Sequence, residues 1–274
     1  MILHACSLAN DADRIIIRCD DTDVLVLLVY YFSRGQLNEH VYMYAGHSGK
    51  ERYIPVHIIA DQLGPTVCQC LPAAHALTGC DTTCSLNRIG KKTAYSTLLK
   101  NADTLSALKT FHSDNLEDSI TVARSYALHL YGKKGKEVGT LDELRYHLAT
   151  TTDKAAAMLP PTEDSFKQHV LRAKYQTQIW CGSDIANQEV VDPVGHGWSS
   201  CSDGGITQIM FTQAAAPVEF RKLTHLYCTD KDCLDEKKCP CLLAGLWCIE
   251  ACCCKKCQNQ YNIPEGGDEM EMNI

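Results

Sequence analysis

RIIIRCDDTDVLVLLVYYF, residues 14–32, is the stretch on which the reading of this chain turns. Its opening residues are β-branched, short and bounded by arginines, which predicts a buried strand. That strand runs directly into Cys19, Asp20, Asp21, Thr22 and Asp23. Carboxylates therefore stand at a strand's carboxyl end, where open α/β sheets form their sites. The apolar run that follows fits a buried strand and a buried helix equally well by periodicity.

Working outward, residues 41–56 predict a hairpin, with HSGK at 47–50 as its turn. Residues 58–63 suggest one or two helical turns. CQCLPAAHALT, residues 68–78, predicts a helix with Pro72 near its start, ended by Gly79 and followed at once by Asp81. Gly90, Lys91 and Lys92 then open a further helix. Asp21, Asp23 and Asp81 are hard oxygen donors of the kind Mg²⁺ takes, and phosphodiester hydrolysis commonly uses two such ions about 4 Å apart. Backbone N–H groups at a helix start, beside lysines, suit a phosphate. A D-x-D pair by itself also reads as a solvated turn, and Ser85 stands where a P-loop would need its upstream glycine.

Farther on, Asn115 with Asp118, Thr140 with Glu143, and Pro160-Pro161-Thr162 mark three helix starts. The GKKGK segment around Lys133, Lys134 and Lys136 reads as a solvated basic loop, and His169 and His196 as structural or exposed. Residues 182–205 turn rich in Gly, Ser and Asp, as a loop or linker does, with Asp192-Pro193 and Gly197-Trp198 as its anchors. A formal charge of −7 over 274 residues confines any contact with nucleic acid to a local basic patch. No run approaches the apolar length of a membrane span, and the first residues lack a secretory pattern, so an intracellular protein, nuclear or cytoplasmic, is expected.

The remaining signal is the cysteine cluster. Nine of the 17 cysteines fall between Cys228 and Cys257, at Cys228, Cys233, Cys239, Cys241, Cys248, Cys252, Cys253, Cys254 and Cys257. Thiolates grouped this tightly suit tetrahedral Zn²⁺ better than disulfides in a reducing compartment. The other eight read as small buried thiols.

CPCLLAGLWCIEACCCKKCQN, residues 239–259, closely resembles the tesmin-like CXC domain. That resemblance implies three zinc ions held by nine thiolates, three of them bridging. Eight family positions are filled, by Cys228, Cys233, Cys239, Cys241, Cys248, Cys252, Cys254 and Cys257; the first is replaced in Leu226-Tyr227-Cys228. His225 or Cys253 could supply the missing ligand, or the site could hold fewer metals. Leu242-Leu243 follows Cys241 where related domains often place basic residues, which favours a protein partner or core packing over phosphate.

Asp21-Thr22-Asp23 resembles the second acidic motif of the flap-endonuclease and PIN-like nuclease superfamily. LTGCDTTCSLNRIGKKTA, residues 77–94, resembles its metal-binding aspartate followed by a helix-two-turn-helix. Asp21, Asp23 and Asp81 would be its metal carboxylates, and Gly90, Lys91 and Lys92 its phosphate-contacting turn. Taken whole, through DDTDVLVLL, LPAAHALTGCDTT, LPPTEDSFKQHVLRAKYQTQIW and the cysteine cluster, the chain resembles a mobile-element-derived animal protein type that joins such a nuclease region to a CXC domain. In that type an acidic motif precedes a strand corresponding to Ile2-Leu3-His4, so the resemblance implies an amino-terminally incomplete sheet, a missing first pair of carboxylates and an open strand edge. Asp20, Asp11 and Asp13 are the nearby candidates for further ligands.

The expected architecture is α/β: an incomplete PIN-like sheet with a helix-two-turn-helix over 1–100, a helical extension over 101–181, a linker over 182–220, the CXC zinc domain over 221–259 and a disordered acidic tail over 260–274. The expected function is that of a zinc-binding, DNA- or chromatin-associated protein with a degenerate nuclease-like domain. A Mg²⁺-dependent structure-specific endonuclease and a zinc-stapled protein-interaction remnant are the alternatives. Metal analysis of the purified chain tests the cysteine reading. A zinc-to-protein ratio near three is expected if His225 or Cys253 completes the set, a lower ratio if the ninth position stays unfilled.

Overall fold

The computed structural model describes residues 1–152, 158–189, 191–202 and 204–213. The cysteine cluster, His225 and the acidic tail lie outside these residues. Helix α1 (Ile2–Ser7) is followed by strand β1 (Ile15–Arg18), helix α2 (Thr22–Ser33) and strands β2 (Val41–Ala45) and β3 (Arg52–Pro55). β1 pairs parallel with β2, Ile15 opposite Val41, and β2 pairs antiparallel with β3, Met43 opposite Ile54. The fold is mixed α/β around a small mixed sheet with β1 at an edge.

The ambiguous apolar run is α2. Asp21 stays extended and accepts a 2.8 Å hydrogen bond from the Asp23 amide, which caps the helix and fixes its start. Leu27 to Tyr31 are all buried, with α2 packed along α3 (Val56–Leu77). α3 is two helices joined at Gly64, whose φ of 73° breaks the helical path before Pro65. The expected short helix and its successor thus form one kinked element, and Pro72 sits well inside its second half. Ile2-Leu3-His4, placed in a strand by resemblance, belongs instead to α1, which buries Ile2 and Ala5.

Beyond α4 (Lys91–Lys100), a 3₁₀ turn (Ser106–Thr110) leads to α5 (Leu116–Leu130), α6 (Lys133–Lys136), α7 (Leu141–Thr151) and α8 (Glu163–Cys181). Asn115, Thr140 and Thr162 cap α5, α7 and α8 by accepting from the amides of Asp118, Glu143 and Ser165. Glu143 reaches back past the cap and accepts from the Gly139 amide at 2.9 Å, securing the entry to α7. The GKKGK segment is a helical turn rather than an open loop, its Gly135 pressed against the Leu128 carbonyl where a Cβ would not fit.

Residues 1–212 form one compact unit, with no division near residue 100. The stretch expected to begin a linker carries β4 (Trp198–Ser200) paired with β5 (Ile206–Gln208), clamped to α8 by Arg172. The buried Arg172 guanidinium donates to the carbonyls of Gly197 at 3.1 Å and Ile209 at 2.7 Å. Among the described residues no helix is long and apolar enough to cross a membrane.

His169 is a core residue. It is buried on α8, and its Nε2–H donates to the Leu77 carbonyl at 2.9 Å. Burial pushes its pKa down from 6.5 to about 4. The folded chain therefore binds fewer protons than the unfolded chain in that window, so stability is intact above about pH 6.5 and falls as pH drops towards 4. The full effect is roughly 3 kcal/mol. Urea denaturation at a series of pH values should show this slope in the wild type and a flatter profile in His169→Asn.

Candidate metal centre

Two chain turns build the site. At the first, β1 delivers Asp20 and Asp21 to the start of α2. An Asp20 carboxylate oxygen accepts from the Gly46 amide, tying the exit of β1 to the end of β2, and the Asp21 amide points at the Cys19 sulfur at 3.4 Å. At the second, α3 ends at Thr78 and the chain reverses through Gly79 at φ 102°. Thr83 Oγ1 donates to the Ala76 carbonyl at 2.7 Å, and Cys80 and Thr83 bridge each other's backbones, so Asp81 is held at the tip of a closed turn.

These turns bring one carboxylate oxygen of Asp21, Asp23 and Asp81 to within 4.8 Å of one another. Asp21 and Asp81 are exposed and Asp23 is partly buried. The three candidate carboxylates thus form one group. Asp11, Asp13 and Asp20 are not part of it.

His75 is the residue that sequence reasoning left out. On the last turn of α3 it lies 2.6 Å from Asp23, Nε2 to Oδ1, with 10 % of its side chain and 19 % of that of Asp23 exposed. Burial, and secondarily the Lys91 charge, hold the His75 pKa below its ordinary value against the opposing pull of Asp23 and Asp21. Facing a carboxylate oxygen, which can only accept, the His75 Nε2–H donates to Asp23. On its other side the ring meets Trp180 of α8 at a centroid distance of 5.9 Å. The signal available in the sequence was position alone: His75 falls one helical turn before the Gly79 reversal.

Lys91 departs from its expected role. Much of its side chain is exposed, but the ammonium end turns back to donate to the carbonyls of His75 and Gly79 and to Thr78 Oγ1. It serves the carboxyl end of α3, where a cation is favoured, instead of standing free for phosphate. Enclosure of that end lowers its pKa to about 8. Gly90 is the N-cap of α4, and Lys92 projects as an exposed cation in the first turn.

Adjoining the site, a cavity of ≈ 370 Å³ opens between α2, α3 and α4; it is lined mainly by Leu25, Val29, Leu63, Ala74, Ala94 and Leu98, with Thr22, His75 and Lys91 also on its wall. No family model, curated protein or solved structure matches this chain.

Gly79 is the backbone position on which the Asp81 turn depends. A Cβ there would meet the Ser85 Cα at 2.9 Å, at a φ that disfavours any side chain. Gly79→Ala should cost about 1–3 kcal/mol in chemical denaturation and should weaken cation binding at the three aspartates.

Proposed function

We propose that this chain is a DNA-associated metal-binding protein with a flap-endonuclease-like, PIN-like cation site at Asp21, Asp23 and Asp81 and a cysteine-rich zinc module. The observation that supports it is the convergence of three carboxylates from two separate turns within 4.8 Å. Oxygen donors in this number suit a cation of the Mg²⁺ or Mn²⁺ class, which keeps several positions for water or phosphate. When bound, such an ion supplies charge neutralisation to a phosphodiester and, in a paired arrangement, assists its hydrolysis.

The chain's own residues prepare that chemistry. His75 occupies one oxygen of Asp23 and orients the other, as outer-shell partners of metal ligands do. The amides at the start of α4, with Lys92 beside them, attract a phosphate to the same end of the sheet. Three carboxylates among the described residues suit one ion better than two. We therefore favour DNA association with weak or absent cleavage.

A second reading, a Mg²⁺-dependent endonuclease, draws on the partly buried Asp23–His75 pair, a positioning device that simple electrostatic binding does not need. Titration of zinc-loaded protein with Mn²⁺, followed by electron paramagnetic resonance, should give saturable binding that Asp81→Asn weakens by about tenfold or more. A labelled branched DNA should be bound with little or no cleavage in Mg²⁺ or Mn²⁺. Turnover abolished by Asp81→Asn would establish the endonuclease instead. Absence of both cation and DNA binding would leave a zinc-stapled interaction module.

A further inference from the structure

The sheet has two unlike faces. Ile15, Ile17, Val41 and Met43 are buried in the core. Alternation and register place Ile16 and Arg18 of β1, Tyr42 and Tyr44 of β2, and Tyr53 and Pro55 of β3 on the opposite face. Among the described residues that face stays open: Ile16 is 50 % and Tyr53 59 % exposed.

Its chemistry is aromatic and cationic. Arg14 lies over the Tyr42 ring at 5.8 Å, and Arg18 over the Tyr44 ring at 4.6 Å, held there by donation to the Gly46 carbonyl at 2.6 Å. Tyr44 and Tyr53 lie 4.7 Å apart at 30°, and Tyr42 meets Tyr53 edge-on at 6.4 Å. Arg14, Ile16, Tyr42 and Tyr53 line a depression of ≈ 410 Å³, ample for a nucleobase. No strand position on this face carries a carboxylate. Two cations, Arg14 and Arg18, stand directly on its rings.

A row of rings interleaved with guanidinium groups on an open sheet is what single-stranded nucleic acid requires: π-faces for sequence-tolerant stacking and cations for the backbone. We infer that the open face of the sheet is a stacking platform for single-stranded DNA, with one base seated between Arg14, Ile16, Tyr42 and Tyr53. DNA is chosen over RNA because β1 leads from the platform to Asp21 in three residues, so a strand lying on it continues towards the proposed cation site. That choice alone rests on the proposed function; the platform stands on its own geometry.

The test is fluorescence anisotropy of a labelled twelve-nucleotide oligo-dT with the full zinc-loaded chain, without added Mg²⁺ or Mn²⁺. Tyr53→Ala and Arg14→Gln should each weaken binding by about tenfold, and Tyr53→Phe should retain it. Arg14→Gln should also reduce the slope of log K against log salt by about 0.7. Mn²⁺ binding by Tyr53→Ala that matches the wild type, beside its loss of oligo-dT binding, separates failure of the platform from failure of the cation site. Equal binding by wild type, Tyr53→Ala and Arg14→Gln would overturn the inference, as would no binding of oligo-dT. So would preference for oligo-U, or a wild-type dimer in sedimentation that Tyr53→Ala dissociates.

Discussion

The hydrogen bond between Asp23 and His75 is the contact on which the site depends, because it joins the beginning of one helix to the end of another. α2 starts where it does because Asp21 caps it, and α3 stops where Gly79 reverses the chain. Neither turn has a reason of its own to face the other. Packing of α2 on α3 brings them close, and the 2.6 Å bond sets their relative position. Both side chains are largely removed from water, so leaving either without its partner costs more than losing an exposed pair would. α8 reinforces the arrangement from the far end of the fold. Trp180 lies against His75, while its carbonyl and the Asp184 carboxylate each accept from or share the Tyr31 hydroxyl at 3.0 Å.

Local signals were legible in the sequence, and long-range ones were not. β1, the β2–β3 hairpin and the starts of α5, α7 and α8 each follow from a few adjacent residues: β-branching, a Gly-containing turn, a cap with its partner three positions on. The apolar run after Asp23 could not be resolved by periodicity, since a helix enclosed on most sides is apolar all round. Its decision lay in the Asp21 cap. The resemblance that assigned Ile2-Leu3-His4 to a strand carried an expectation of neighbouring chain, and these residues bury their apolar face as a helix instead. The convergence of Asp21, Asp23 and Asp81 could be expected from motif order, but His75 could not, because what singles it out is a partner 52 positions away. The inward turn of Lys91 was hidden for the same reason: GKKT looks like a free phosphate site until the carbonyls at the end of α3 are placed beside it.

The placement of charge bears on how an acidic chain could meet the polyanionic ligand proposed for it. Carboxylates crowd at one end of the sheet, and the His75 hydrogen bond to Asp23 offsets part of their mutual repulsion. Arginines are set on the open face, each already resting on a tyrosine ring, so their charge is presented in place and little side-chain freedom remains to be lost on binding. One region would repel a phosphate backbone until a cation intervenes, and the other attracts it directly. A strand meeting both would therefore be held at the platform first and would engage the acidic end only as a divalent ion binds.

The same Asp23–His75 bond bears on which metal the acidic group selects. An imidazole beside three carboxylates would ordinarily favour zinc or another later transition metal, which take nitrogen readily and bind more tightly than magnesium. Here the Nε2 edge of His75 is committed to Asp23, so the group presents oxygen alone and its preference moves towards hard cations. Were the cysteine cluster to hold zinc as proposed, this difference in donor type would keep the two metals apart.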